Sequence, residues 1–247
     1  MDDALRRSAA HVLVGDVAVP ELDDGSAHHL RRVLRLRHGE SVTVTDGAGR
    51  WRRCLFDGDR VEADGDIETA PAPDPQLTVA VAPPKGDRLD WLVGKCTELG
   101  IDRLVMLEAE RSMVRWNSDR AARQLDRVRR ISVEAAMQSR RVWLPVVEGP
   151  MPAGDVLAGS VIAEPDGRPL GPNDTAVAVG PEGGWSPAEL DLAAATVSLG
   201  PNVLRVETAA VAAAALMVSM RAPRDHIGEP SVQRPVRAAH QSGGGRR

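Results

Sequence analysis

The chain has 247 residues, 43% of them apolar and 27% charged, with a formal net charge of −4. That is globular composition, enough for one large domain or two small ones, and it excludes a disordered chain. Cys54 and Cys96 are widely separated and form no CxxC pair, which excludes a disulfide scaffold and a zinc ribbon and points to a reducing cytoplasm. The acidic start, Met1-Asp2-Asp3, does not read as a signal peptide. The longest apolar run, Ala209 to Met220, falls short of the roughly 20 residues that cross a bilayer, so no membrane partner is expected. Positive charge is concentrated locally, with seven arginines against two acids from His28 to Arg53 and ten against five from Arg103 to Arg141. Such surfaces suit nucleic acid even on an acidic protein.

Residues 1 to about 70 read as short strands: Val12-Leu13-Val14, Ser41 to Thr45, Trp51 to Phe56 and Val61 to Ile67. Asp46-Gly47-Ala48-Gly49 supplies a hairpin turn, and Ser26 is placed to cap a short helix carrying His28, His29, Leu30, Val33 and Leu34. The pattern predicts a small β-barrel or sandwich over residues 1–72. Ala70-Pro71-Ala72-Pro73-Asp74-Pro75 is a stiff linker, because each proline fixes its own φ and turns the residue before it away from helix.

Beyond the linker, strands alternate with helices. The order is strand Leu77 to Ala82, helix Asp87 to Leu99, strand Arg103 to Leu107, helix Asp119 to Ser139 and strands Val142 to Val147, Val161 to Glu164 and Ala176 to Val179. Helix Pro187 to Ala195, strand Val197 to Leu199 and a last helix from about Thr208 complete it. Over residues 76–222 this predicts an α/β domain with a mostly parallel sheet covered on both faces. Residues 223–247, rich in Pro, Gly, Ser and Arg, read as a disordered basic tail.

Four segments carry candidate chemistry. In Gly180-Pro181-Glu182-Gly183-Gly184-Trp185-Ser186-Pro187-Ala188-Glu189 a strand passes through a glycine loop into a helix with a capping box of Ser186 and Glu189. The loop therefore lies at the carboxyl end of a strand, where open α/β sheets bind ligands. A tight turn explains the glycines but not Glu182. A second loop, Leu199-Gly200 through Leu204, Arg205, Glu207 and Thr208, precedes an alanine-rich helix that Thr208 is placed to cap; Arg205 with Glu207 is equally an ion pair. In the third, Lys95 and Glu98 pair on a helix, while Lys85 lies in the loop before it, in a chain whose other basic residues are all arginine. The fourth is a helix with Arg120, Arg123, Arg127, Arg129 and Arg130 that ends in Gln138, Arg140 and Arg141. A solvated face accounts for its charge as well as RNA does. No P-loop, dinucleotide fingerprint, GxSxG or HExxH is present.

Together KGDRLDWLVGKCTELGID, EAAMQSRRVWLP, AVGPEGGWSPAEL and LGPNVLRVETAAVAAAAL resemble the RsmE family, the ribosomal RNA small subunit methyltransferase E family of the SPOUT superfamily. HHLRRVLRLRHGESVTVTDGAG resembles that family's PUA-like RNA-binding domain. The resemblance implies a SPOUT-type C-terminal domain with a deep trefoil knot, a homodimer, and S-adenosyl-L-methionine as cofactor without a metal. It also implies methylation of N3 of one decoding-region uridine in 16S rRNA of the small ribosomal subunit. Carried over by motif, the cofactor residues are Gly180, Pro181, Glu182, Gly183, Gly184, Leu199, Gly200, Leu204, Arg205, Glu207, Thr208 and Ala209. Glu207 or Glu182 then orients or deprotonates the uracil, and Arg205 stabilises charge on its carbonyl oxygen. RNA contact is expected from His28, Arg31, Arg32, Arg35, Lys85, Gln138, Arg140 and Arg141. The chain departs from the family pattern at Leu5 to His11, where an Arg followed by aromatics is usual, and at Trp185, where Phe is usual. Another SPOUT methyltransferase acting on a different RNA, and a non-catalytic ribosome assembly factor, are the alternatives.

Overall fold

A computed structural model describes residues 2–116 and 118–221, without the side chains of 118–120. The tail expected over 223–247 and the Arg120 side chain lie outside the described residues.

The N-terminal part opens with helix α1 (Asp3–Arg7) and builds one four-stranded sheet in the order β1 (Ala10–Leu13), β2 (Ser41–Thr45), β3 (Arg50–Phe56), β4 (Val61–Thr69). β1 runs parallel to β2, and β2, β3 and β4 form an antiparallel meander. Its core is Val12, Val17, Leu30, Val42, Val44, Cys54 and Phe56. Between β1 and β2 lie helix α2 (Asp24–His28) and a π-helical turn, His29–Val33. The cap of α2 is Asp23, whose carboxylate accepts from the Ser26 amide at 2.6 Å, so Ser26 is capped rather than capping. Only Leu30 of the π-helical turn is buried, which turns its arginines outward.

The second sheet has six strands, all parallel, from β5 (Thr78–Val81), β6 (Arg103–Glu108), β7 (Val146–Pro152), β8 (Val161–Pro169), β9 (Ala176–Val179) and β10 (Ala195–Ser198). The spatial order is β10-β8-β9-β5-β6-β7. Strand alternation assigns the two faces. Val79, Val81, Leu104, Met106, Val177 and Val179 pack on helices α3 (Arg88–Leu99), α4 (Ser118–Gln138) and α7 (Val206–Met220). Ala80, Val105, Leu107, Ile162 and Ala178 pack against α5 (Ala153–Leu157) and the loop before α6 (Pro187–Leu192). Helix α7 begins two residues before Thr208, because buried Val206 is already helical and Arg205 is the N-cap, without a side-chain cap. No helix of the described residues is long and apolar enough to cross a membrane.

The predicted strand Val142 to Val147 divides in two. Trp143 bridges Ala48, the Leu144 amide donates to Gly47 at 2.9 Å, and the Gly49 amide donates to Val142 at 2.8 Å, so this half docks on the β2–β3 hairpin. Only from Val146 does the chain enter the parallel sheet. The junction between the sheets also contains a buried histidine. His11 Nε2 lies 3.1 Å from the Arg141 carbonyl and must donate to it, which leaves Nδ1 to accept from the Thr43 hydroxyl at 2.8 Å. Burial, with Arg140 nearby, lowers the His11 pKa from 6.5 to about 4. The folded protein thus binds this proton less readily than the unfolded chain. Stability from this site is complete above pH 6.5 and is lost as pH falls toward 4, by roughly 3 kcal/mol for a shift of this size. Denaturant unfolding at pH 7.5, 6 and 4.5 measures it, and His11→Asn should flatten that part of the profile.

Candidate active site

At the carboxyl ends of β8, β9 and β10 three chain segments enclose a cavity of about 380 Å³, within the size range of small-molecule sites. The loop after β9 contributes Gly180, Pro181, Glu182, Gly184 and Trp185; the segment from Leu199 to α7 contributes Leu199, Gly200, Asn202, Val203, Leu204, Arg205, Val206 and Ala209. Ala163, Glu164 and Pro165 of β8 form the third side.

The first loop is held at both ends. Ser186 accepts from the Glu189 amide while Glu189 accepts from the Ser186 amide at 2.9 Å, which completes the capping box read from the sequence. The other Glu189 oxygen accepts from the Glu110 amide at 2.8 Å. Next to Glu110, Arg111 donates to the Trp185 carbonyl at 3.0 Å. The β6–α4 loop therefore braces the glycine loop, a role that no sequence signal assigned to Arg111.

Inside the cavity the Trp185 indole, 4% exposed, lies across Gly180. A Cβ on Gly180 would stand 2.7 Å from Trp185 Cε2 and Nε1. Gly180→Ala must therefore displace the ring or the loop, at a cost of about 1–3 kcal/mol. Calorimetry should find at least about tenfold weaker binding of the ligand the cavity holds, since the displaced atoms are the cavity wall.

Most of the residues singled out for this site meet here, but Gly183, Glu207 and Thr208 do not line the cavity. Gly183 backs onto Arg111. Glu207, 9% exposed, points instead toward Arg88 of α3, with 3.9 Å between Oε2 and the guanidinium, and does not pair with Arg205. Glu182, Glu164 and the Arg205 side chain have no hydrogen-bond or ion-pair partner among the described residues. The walls are otherwise apolar: Val179, Leu199, Leu204 and Ala209. An apolar cleft of this size with two free carboxylates, one free guanidinium and exposed loop backbone can hold a small ligand that has both apolar surface and hydrogen-bonding groups.

The basic candidates separate into two groups. His28, Arg31, Arg32, Arg35, Lys85 and Gln138 are exposed, Arg31 in a pair with Asp59. Arg140 and Arg141 are committed internally. Arg140 donates to the Ser8 carbonyl at 2.7 Å. Arg141 donates to the carbonyls of Thr97 and Ile101 at 3.0 and 2.6 Å and pairs with Asp102, its side chain 12% exposed. These bonds turn Arg141 inward, away from the surface where RNA contact was expected, and Arg140 ties the turn after α4 to the residue that ends α1. Lys95 pairs with Glu98 at 2.7 Å, as its spacing indicated.

Residues 71–218 match the family model described as an RNA methyltransferase domain, and residues 22–64 match that of an RNA methyltransferase PUA domain. The chain is 34% identical to the ribosomal RNA small subunit methyltransferase E of Synechocystis sp., over 80% of this chain and 72% of the relative. It is also 34% identical to the Mycobacterium bovis protein of that name, over 81% and 85%. Among solved structures, the ribosomal RNA small subunit methyltransferase E from Neisseria gonorrhoeae bound to S-adenosyl methionine is similar at 29% identity and a TM-score of 0.72, covering 85% of this chain and 97% of that one.

Proposed function

The chain belongs to the ribosomal RNA small subunit methyltransferase E family, and from that premise we propose that it methylates N3 of one uridine in the decoding region of 16S rRNA. It is an S-adenosylmethionine-dependent methyltransferase of small-subunit ribosomal RNA. The observation that supports this most is the convergence of three segments, two of them glycine loops, on one cavity at the carboxyl end of a parallel sheet.

The bound cofactor supplies an electrophilic methyl group on a sulfonium. N3 of uracil is protonated at neutral pH, so its proton must leave as the N–CH₃ bond forms and the S–CH₃ bond breaks. Glu182 and Arg205 both line the cavity, free of partners, whereas Glu207 faces Arg88. Glu182 accordingly takes or holds the N3 proton, and Arg205 donates to the uracil carbonyl oxygen as negative charge grows there. Gly180, Gly184, Leu199, Gly200, Leu204 and Ala209 hold the cofactor by backbone and apolar contact, and Trp185 closes the floor.

RNA binds along the π-helical turn through His28, Arg31, Arg32 and Arg35, and at Lys85 and Gln138. Arg32→Ala and Arg35→Ala should each lower the salt dependence of RNA affinity by about 0.7–0.9 in log–log slope, measured by filter binding between 50 and 200 mM salt. Arg141→Ala should leave that slope unchanged. Residues 1–72 act as a PUA-like barrel domain and 76–222 as the methyltransferase domain, with the cofactor loops in a deep trefoil knot. The enzyme works as a cytoplasmic homodimer.

The deciding experiment is transfer of radiolabelled methyl from S-adenosylmethionine to small subunits from a strain lacking this gene, followed by mapping of the product. Label at N3 of a single decoding-region uridine is expected. Label at another position, or on transfer RNA, overturns the substrate. Cofactor binding with no transfer to any RNA points to an assembly factor.

A further inference from the structure

We propose that Glu164 is a cofactor-binding residue whose carboxylate accepts hydrogen bonds from a donor of bound S-adenosylmethionine, either the ribose hydroxyls or the amino group. The assignment rests on the cofactor reading above and extends the site beyond the two loops that the family motifs mark. Strand β8 follows the ladder only at its ends. Val161 and Ile162 pair with β9, and nothing beyond them does. Toward β10, Ile162 faces Thr196 and Arg168 faces the next residue, Val197, so residues 163–167 have no counterpart and bulge out of the sheet. A bulge re-aims side chains that a regular strand would leave in the ladder.

This bulge is fixed at its far end. A Cβ on Gly167 would stand 2.5 Å from the Val197 nitrogen and 2.6 Å from the Thr196 carbonyl carbon, both backbone atoms that cannot yield. Only glycine lets the chain return this close to β10. Immediately after it, Arg168 donates to both carboxylate oxygens of Asp174 at 2.7 Å, and Asp174 also accepts from the Gly171 amide at 2.7 Å. The apex so held presents Ala163, Glu164 and Pro165 to the cavity, while Asp166 is exposed and does not line it.

Glu164 thus reaches the cavity as a carboxylate with no donor of its own. Partial burial beside Asp166 pushes its carboxyl above the ordinary range, the mark of a charge short of solvation. Val179, Leu199 and Leu204 across the cavity offer only apolar surface. The polar side chains that share the cavity, Asn202 and Arg205, make no hydrogen bond or ion pair with Glu164, which leaves it open to a donor on the occupant, and an adenosine-type cofactor has two kinds on its flexible parts, the ribose diol and the amino group.

The test uses the full chain and calorimetry with three probes: S-adenosylmethionine, S-adenosylhomocysteine and methylthioadenosine. Glu164→Gln should weaken the first two equally, by about tenfold or more, as expected for loss of a charge-assisted hydrogen bond. An equal loss for methylthioadenosine assigns the ribose, and an unchanged affinity for it assigns the amino group. Either outcome supports the proposal. Unchanged binding of all three overturns it, as does a loss confined to S-adenosylmethionine, which would mean a contact with the sulfonium charge alone. Asp166→Asn is the companion variant and should bind within about twofold of the parent; a loss equal to that of Glu164→Gln would make the effect one of bulge charge and also overturn the proposal. A parent chain that binds none of the probes removes the cofactor reading itself, an outcome distinct from failure at Glu164.

Discussion

Asp102→Asn is expected to lower the unfolding free energy by about 3–5 kcal/mol, the cost of removing one partner from a buried ionic group. Asp102 is 7% exposed and stands just before β6, at the amino ends of the strands, opposite the cavity. One carboxylate oxygen accepts from Arg141 at 3.2 Å; the other accepts from the Leu77 amide at 2.9 Å and from Arg221. It therefore ties together the entry to β5, the turn after α4 and the residue after α7. Burial opposes the charge on Arg141 and the carboxylate restores it. Asparagine keeps the shape but leaves two guanidinium groups, 12% and 18% exposed, without a counter-charge. Denaturant unfolding should show the loss, with a drop in Tm of roughly 10 °C for a chain of this size. Cofactor affinity at low temperature should not change, because the cavity is at the other end of the strands. Stability equal to the parent would mean that water or the asparagine amide already satisfies both arginines.

The second large effect is kinetic. Glu182→Gln should lower single-turnover methyl transfer by about 10²–10⁴-fold, the range for a proton-transferring group, with affinity for S-adenosylmethionine within a few-fold. Without a carboxylate to take the N3 proton, the variant depends on uridine that has already ionised, so its rate should climb by about one decade per pH unit in mildly alkaline buffer. The parent enzyme should show no such climb. Glu207→Gln should turn over at close to the parent rate, since that carboxylate faces Arg88 across 3.9 Å and lies outside the cavity. Full turnover by Glu182→Gln would remove the carboxylate from the proton step and leave the chemistry to Arg205 and substrate alignment.

The two carboxylates illustrate what sequence spacing can decide. Both occur in loop motifs at the carboxyl ends of strands, and nothing in the chain distinguishes them. The distinction comes from helix α7, which starts at Val206 rather than after Thr208 and so turns Glu207 toward α3. Arg141 differs in the same way. Its neighbours in a basic run suggested RNA, yet the tight turn at Arg140, with φ of 61°, directs the Arg141 side chain inward onto Thr97, Ile101 and Asp102.

What the sequence determined by itself is local or periodic. Near-continuous apolar strands called for a parallel sheet covered on both faces, and Ser186, Pro187 and Glu189 marked the helix start that places the glycine loop at a strand end. Those features depend on residues a few positions apart, where hydrogen-bond and packing rules act directly. What only the tertiary structure decided involves partners far away in the chain. The bulge of residues 163–167 exists because β10 offers two consecutive residues where β8 spends seven, and Gly167 records it only once Val197 is known to be its neighbour. Trp143 belongs to the junction of the sheets because the β2–β3 hairpin, almost a hundred residues earlier, supplies its bridge partner Ala48. Such pairings are set by the free energy of packing whole elements together, a sum over many weak contacts that no short stretch of sequence contains.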